Sequence, residues 1–209
     1  MKNLIVVDHP LVQHKLTFLR DKNTSCKEFR RLVGEISTLL AYEATRDLPL
    51  ESVMIETPVT ETAGKVVSGL KQVVIPILRT GLGLVDGMLS LLPSAKVGHL
   101  GIYRAEGSRE LVDYYTKLPE DMPDREVYIV DSVLATGSTA IEAVNQIKRK
   151  NPKRIKFVCL LASPEGVEAF SKAHPDVTII TAAVDFGLVH NRYITPGFGD
   201  AGARCFGTM

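Results

Sequence analysis

Cysteine is scarce: Cys26, Cys159 and Cys205 are scattered through 209 residues with no C-x-x-C pair. That spacing removes a disulfide framework and a cysteine-based zinc site, and it points to a reducing compartment. Charge of one sign is also lacking, since 25 Lys and Arg against 24 Asp and Glu leave a net charge of +1. Proteins that hold nucleic acid through bulk phosphate contacts carry a basic excess, so no nucleic-acid partner is expected and any anion must be held by a few placed groups. No stretch approaches the roughly 18 uncharged residues of a membrane span, and the apolar run in the opening MKNLIVVDHP is too short for a signal-peptide core. No membrane partner is therefore expected, and the expected location is cytoplasmic. No H-E-x-x-H or comparable ligand spacing joins His9, His14, His99, His174 and His190, which argues against protein-bound zinc.

One nucleotide motif is missing as well, and a second occurs without the chain it needs. No G-x-x-x-x-G-K-[ST] occurs, so there is no Walker lysine. A G-x-G-x-x-G is present at Gly197, Gly199 and Gly202, but only seven residues follow it, leaving no room for the rest of a dinucleotide-binding unit. The cluster Gly81, Gly83 and Gly87 follows a strand pattern but has the wrong spacing.

What remains is ordinary globular composition, 45% hydrophobic and 23% charged, in a chain whose folding should bury roughly 70% of its unfolded surface. Without repeats or a composition break, residues 1–209 read as one domain. Asp8, ahead of Pro10, is the expected cap of a first helix. Ser25 and Glu28 have capping-box spacing before Phe29, Leu32, Val33, Ile36, Leu39 and Leu40, which form one apolar face. These helices make an N-terminal arm over about residues 8–47.

Short runs rich in Val and Ile follow: SVMIETPV, QVVIPIL, KVGHLGIY, EVYIV, IKFVCLLA and VTIITAAV. Helical stretches at Leu82 to Leu92, Thr139 to Arg149 and Glu165 to Ala173 alternate with several of them, as in βαβ units. The fold class is α/β, a mainly parallel sheet flanked by helices. A segment over about residues 105–118 breaks this rhythm and reads as a small hood or hairpin.

Chemistry concentrates in EVYIVDSVLATGSTAIEAV, residues 126–144. Its order is strand, acidic turn, small-residue loop, helix, and ligands of parallel sheets bind beyond the carboxyl ends of strands. Asp131 is placed where this strand should end. Ala135, Thr136, Gly137, Ser138 and Thr139 offer backbone N–H groups and hydroxyls at a helix N-terminus, the requirements of a phosphate pocket. An ordinary capped βα turn uses the same residue types.

IVDSVLATGSTA resembles the phosphoribosyl-diphosphate motif of type I phosphoribosyltransferases. PILRTGLGLVDG, SAKVGHLGIYR, DYYTKLPED, ASPEGVEA and YITPGFGDAGARCFGT, with HPLVQHKLTFLRDKNTS and LLAYEATRDL near the start, resemble the uracil phosphoribosyltransferase family over almost the whole chain. The resemblance implies conversion of uracil and 5-phospho-α-D-ribose 1-diphosphate to UMP and diphosphate, with Mg²⁺ as cofactor. It implies that Arg79, Arg104 and Asp131 are catalytic, the arginines at the diphosphate and Asp131 at the ribose hydroxyls. Ser132, Val133, Leu134, Ala135, Thr136, Gly137, Ser138 and Thr139 would complete the phosphoribosyl site, with Asp200 also tending the metal. Ile194, Gly199, Asp200 and Ala201, within a C-terminal segment over about residues 185–209, would receive uracil. A homodimer or larger assembly, and GTP as effector in some members, are further implications.

The chain departs from the family pattern at Ser132 and Val133, where Pro and Met are usual, at Ser138 in place of Gly, and at Val189, Arg192 and Ala203. These departures keep two other readings open: a non-catalytic phosphoribosyl-ligand sensor of the same fold, and a phosphoribosyltransferase for another base.

Overall fold

The computed structural model describes residues 3–104, 111–189 and 193–208, the Arg104 side chain excepted. In chain order the elements are β1 (Leu4–Val6), α1 (Pro10–Arg20), α2 (Cys26–Ala44), β2 (Leu50–Glu56), β3 (Glu61–Val67), β4 (Val73–Leu78), α3 (Leu82–Leu91), β5 (Lys96–Val97) and β6 (His99–Arg104). They continue as β7 (Leu111–Lys117), β8 (Glu126–Leu134), α4 (Ser138–Lys148), β9 (Arg154–Ala162), α5 (Pro164–Ala173), β10 (Thr178–Val184), β11 (Gly187–Val189), β12 (Tyr193–Thr195) and α6 (Ala201–Phe206).

The central sheet runs β1-β10-β9-β8-β4-β6-β7, with β5 also against β4. Every pairing in it is parallel except β6 with β7. β8 and β9 are buried almost end to end because helices cover both faces, which is why they read as continuous apolar runs. On β8, Tyr128 and Val130 face a core shared with α1, α2 and α3, while Val127 and Ile129 face the core under α4 and α5. The two-residue period of a strand thus feeds both cores.

The apolar face expected around Phe29 is the buried face of α2, and Ser25 Oγ accepts the Glu28 N–H at 3.2 Å. The Glu28 carboxylate turns to Arg31, so only one half of the capping box forms. The cap of α1 is His9, not Asp8: the helix begins at Pro10, and the imidazole Nδ1 immediately before it accepts the Leu11 N–H at 3.2 Å. Asp8 is one residue too early for that geometry.

SVMIETPV forms β2, which joins β3 in a two-stranded antiparallel hairpin outside the central sheet. The expected hood is represented by β7, antiparallel to β6 at the sheet edge; residues 105–110 lie outside the described part. Among the described residues no helix is long and apolar enough to cross a membrane.

Candidate active site

The site gathers at the carboxyl edge of the sheet. β4 stops pairing with β8 at Pro76↔Val130, and the chain then crosses tightly over β8. A Cβ on Gly81 would sit 2.4 Å from the Val130 carbonyl oxygen and 2.7 Å from the Ile77 nitrogen, so only glycine fits this crossing. The crossing delivers Thr80 to Asp131 and leaves Arg79 just ahead of it. Arg79 is exposed, follows a cis peptide bond at Leu78–Arg79, and has its guanidinium 5.9 Å from the Phe206 ring centre. Among the described residues no carboxylate forms a salt bridge with it.

Asp131 is buried, and the strand does not end there. β8 continues to Leu134 because its ladder with β9 extends through Asp131↔Cys159 to Leu134↔Ala162, beyond the point where β4 has left. Asp131 therefore projects from a fixed strand rather than a turn. Its Oδ1 accepts the Thr80 hydroxyl and, at 2.7 Å, the Ser132 N–H. Burial pushes the carboxyl pKa up to about 6, against the opposing pull of these two hydrogen bonds.

Gly137 adopts the left-handed conformation at φ 82° and caps α4 without a side-chain hydrogen bond. The first-turn N–H groups and the positive end of the helix dipole thus face outward, ready for an anion. A hollow of about 120 Å³ here is lined by Asp131, Val133, Leu134, Ala135, Thr136, Gly137, Thr139 and Ala140. Ser132 and Ser138 do not line it: the Ser132 hydroxyl is buried without a hydrogen-bond partner, and Ser138 Oγ lies 3.2 Å from Thr136 Oγ. Arg104 ends β6, next to β4 in the sheet.

The loop is braced from behind by residues whose role was not read in the sequence. Ser163 Oγ donates to the Ala135 carbonyl at 2.6 Å and accepts the Gly166 N–H at 2.9 Å. A Cβ on Gly166 would lie 2.3 Å from the same Ala135 oxygen, which puts the start of α5 in direct contact with the loop. The S-x-x-G spacing within ASPEG was the available signal.

A second hollow, about 40 Å³, is lined by Val133, Ala135, Leu161, Tyr193, Ile194, Phe198 and Gly199. It shares Val133 and Ala135 with the first, so the two are neighbours along the same loop. Ile194 and Gly199 both line it. Asp200 instead lines an adjoining cavity of about 310 Å³ that shares Phe198 and Gly199 with the small hollow, and its Oδ1 caps α6 by accepting the Ala203 N–H at 2.9 Å. Ala201 is packed in the core beneath. Tyr193 joins the wall without having been singled out in the sequence; Arg192 lies outside the described residues.

A mostly parallel sheet flanked by helices, with an acidic side chain, a helix N-terminus and a small apolar hollow at its carboxyl edge, is the architecture of the type I phosphoribosyltransferase class. The family model for uracil phosphoribosyltransferase matches residues 6–208. Uracil phosphoribosyltransferases from Geobacillus sp. (strain WCH70) and Anoxybacillus flavithermus (strain DSM 21510 / WK1) are 58% and 56% identical to it over 208 residues, covering 100% of each chain. The solved structure of the AQ2163 protein from Aquifex aeolicus superposes with a TM-score of 0.92 at 36% identity, covering 97% of both chains. A hypoxanthine-guanine phosphoribosyltransferase from Bacillus anthracis, at 14% identity and TM-score 0.50 over 74% of this chain and 78% of that one, shares the fold alone. The chain belongs to the uracil phosphoribosyltransferase family.

Proposed function

We propose that the chain is a pentosyltransferase that moves the 5-phosphoribosyl group from 5-phospho-α-D-ribose 1-diphosphate to uracil. The carrying observation is that an anion hollow and a small apolar hollow share Val133 and Ala135, with Asp131 lining the first of them. The bond from C1′ to the diphosphate oxygen breaks with its electron pair leaving on diphosphate, a bond from a uracil ring nitrogen to C1′ forms, and that nitrogen's proton is lost. Positive charge builds on the ribose as the leaving group departs, so the protein's work is positioning and charge stabilisation.

Thr136, Gly137, Thr139 and the first turn of α4 hold the 5′-phosphate, while Asp131 accepts from the ribose hydroxyls. Arg79, free of carboxylates, and Arg104 bind the diphosphate in guanidinium forks. Ile194, Gly199 and the backbone through Ala201 take uracil, whose carbonyls and N–H groups demand a donor and acceptor pattern that cytosine would leave mismatched.

Mg²⁺, when bound, neutralises charge on the diphosphate. The residues suit a cation that arrives with substrate: among those described no group of three His, Cys, Asp or Glu is placed to hold a metal, and Asp200 uses one carboxylate oxygen as a cap, leaving the other to a metal. Mg²⁺ commonly takes only one or two protein carboxylates beside substrate oxygens and water.

Assembly as a homodimer or larger belongs to the same reading. The β2–β3 hairpin supports it, standing outside the central sheet with Leu50, Met54 and Val59 exposed. GTP as effector and a cytoplasmic place in pyrimidine salvage rest on the family resemblance. The non-catalytic sensor is not favoured, since full-length relatives at 58% and 56% identity are named as transferases.

Labelled uracil with phosphoribosyl diphosphate and Mg²⁺ is expected to yield UMP; folded protein that makes none at high enzyme concentration refutes the reading. Cytosine, hypoxanthine and orotate in parallel test the base. Sedimentation with and without GTP, alongside rates, tests assembly and the effector.

A further inference from the structure

Arg20 is the last residue of α1, and Asp185 follows β10, 165 positions later. Arg20 Nη1 and Nη2 donate to the two Asp185 oxygens at 2.7 and 2.6 Å, a bidentate fork in which the Asp185 side chain is 5% and the Arg20 side chain 25% exposed. The same pair takes both backbone groups of Gly197. Arg20 Nη1 donates to its carbonyl at 3.0 Å, and its N–H donates to Asp185 Oδ2 at 2.9 Å.

Gly197 has φ 56°, and a Cβ there would lie 2.1 Å from the Ile194 carbonyl oxygen, so the chain folds back hard on the base hollow's own wall. The next carbonyl, of Phe198, is held at 2.9 Å by Arg204 Nη1, whose guanidinium also takes the Leu19 carbonyl at 2.9 Å and stacks 4.5 Å from the Phe29 ring centre. Neither Arg20 nor Asp185 lines the small hollow, whereas Phe198 and Gly199 do; Arg20 borders the adjoining cavity of about 310 Å³, on the other side of those two residues.

We propose that the Arg20–Asp185 pair is a positioning device for base recognition. It sets the 197–199 backbone from behind and so determines uracil affinity without touching uracil. The proposal rests on the reading of the Ile194–Gly199 hollow as the base site. An ion pair with this burial holds one geometry because either partner left alone is strongly penalised, and a fork fixes direction as well as distance. The anion loop has no bond to either residue, so phosphoribosyl binding is insulated from the pair.

The test is steady-state kinetics on full-length Arg20→Ala, Arg20→Lys and Asp185→Asn, with Asp47→Asn at the opposite sheet edge as a destabilised control. KM for uracil is expected to rise at least tenfold in Arg20→Ala and Asp185→Asn, with KM for phosphoribosyl diphosphate within twofold and Arg20→Lys recovering part of the loss. Asp47→Asn should lower the melting temperature with both KM values unchanged. Asp185→Asn, which keeps the side chain's shape, carries the test where Arg20→Ala does not fold. Uracil KM within twofold of the parent, or both KM values rising together, overturns the proposal. Ile194→Trp, which fills the small hollow, separates the two failures. If it raises uracil KM while the pair's variants do not, the positioning role alone fails; if it too leaves uracil KM unmoved, the base-site reading fails.

Discussion

Where β8 and β9 begin, the Lys156 ammonium reaches Asp47, Glu126 at 3.1 Å and the Ala44 carbonyl at 2.6 Å, while Arg154 bridges Asp47 and Glu126 at 2.7 Å each. Tyr128 adds its hydroxyl to Glu126 at 2.9 Å. At the other edge of the same sheet Asp131 is buried with one hydroxyl and one N–H, and Arg79 stands in solvent; among the described residues neither has a partner of opposite charge. Burial works to raise the Asp47 carboxyl too, but the Lys156 and Arg154 charges beside it bring it below the usual carboxylate range. Asp131 has no such relief and stays high. One edge has satisfied its charges internally and is structural. The other leaves a buried carboxylate and an exposed guanidinium without an opposite charge among the described residues, the arrangement that the proposed phosphoribosyl-diphosphate site calls for.

Breaking the closed edge should have the largest effect, and only on stability. Lys156→Met leaves Glu126 and Asp47 to Arg154 alone and is expected to cost about 1.5–3 kcal/mol, the usual loss for hydrogen bonds to a charged group. Urea unfolding measures it, and kcat/KM per folded molecule should not change. A parallel loss of kcat/KM would erase the distinction between the edges.

At the open edge the signs reverse. Asp131→Asn and Arg104→Ala should each lower kcat/KM at least tenfold, about 1.4 kcal/mol of transition-state stabilisation. Asp131→Asn should also melt higher than the parent at pH 8, because it removes a buried, unpaired carboxylate. Unchanged kcat/KM in both variants refutes the role assignment.

That gain is pH-dependent. The folded carboxyl has a pKa of about 6 against an ordinary 3.8, so between those values the folded state keeps a proton that the unfolded state releases. The parent therefore loses stability relative to Asp131→Asn as pH rises from about 4 to 6, with no further change above. Melting curves of both proteins from pH 4 to 8 check this; a difference that stays flat across the window contradicts an unpaired Asp131. The smallest effect belongs to Ser138→Gly, expected to raise KM for phosphoribosyl diphosphate no more than about threefold, about 0.7 kcal/mol, since Ser138 contacts Thr136 rather than lining the hollow.

The open edge was largely legible in the sequence, the closed edge not at all. Asp131 and the 135–139 loop are contiguous, and their chemistry follows from local order: strand, acid, glycine, helix. Lys156, Glu126 and Asp47 carry no signal of their own in the sequence, because nothing local announces that β8 and β9 start side by side against the end of α2. Thr80 went unnoticed for the same reason, since its tie to Asp131 depends on a crossing that only Gly81 permits. His9 in place of Asp8 was a shift of one residue, within the ordinary uncertainty of helix ends. Asp200 caps α6 through one carboxylate oxygen, a local role that its place just ahead of a short helix made legible.

β1 has its own consequence. It joins the sheet beside β10, with Leu4 opposite Ile179, and α1 is tied to the same strand by Gln13 Nε2 on the Ala182 carbonyl at 3.3 Å. A chain leaving the ribosome thus exposes its first strand and helix long before their partner is synthesised. Pairings this distant are slow to close. The Arg20 fork joins residues 165 positions apart, so the 197–199 backbone that it holds can be set only once Asp185 and Gly197 have both left the ribosome.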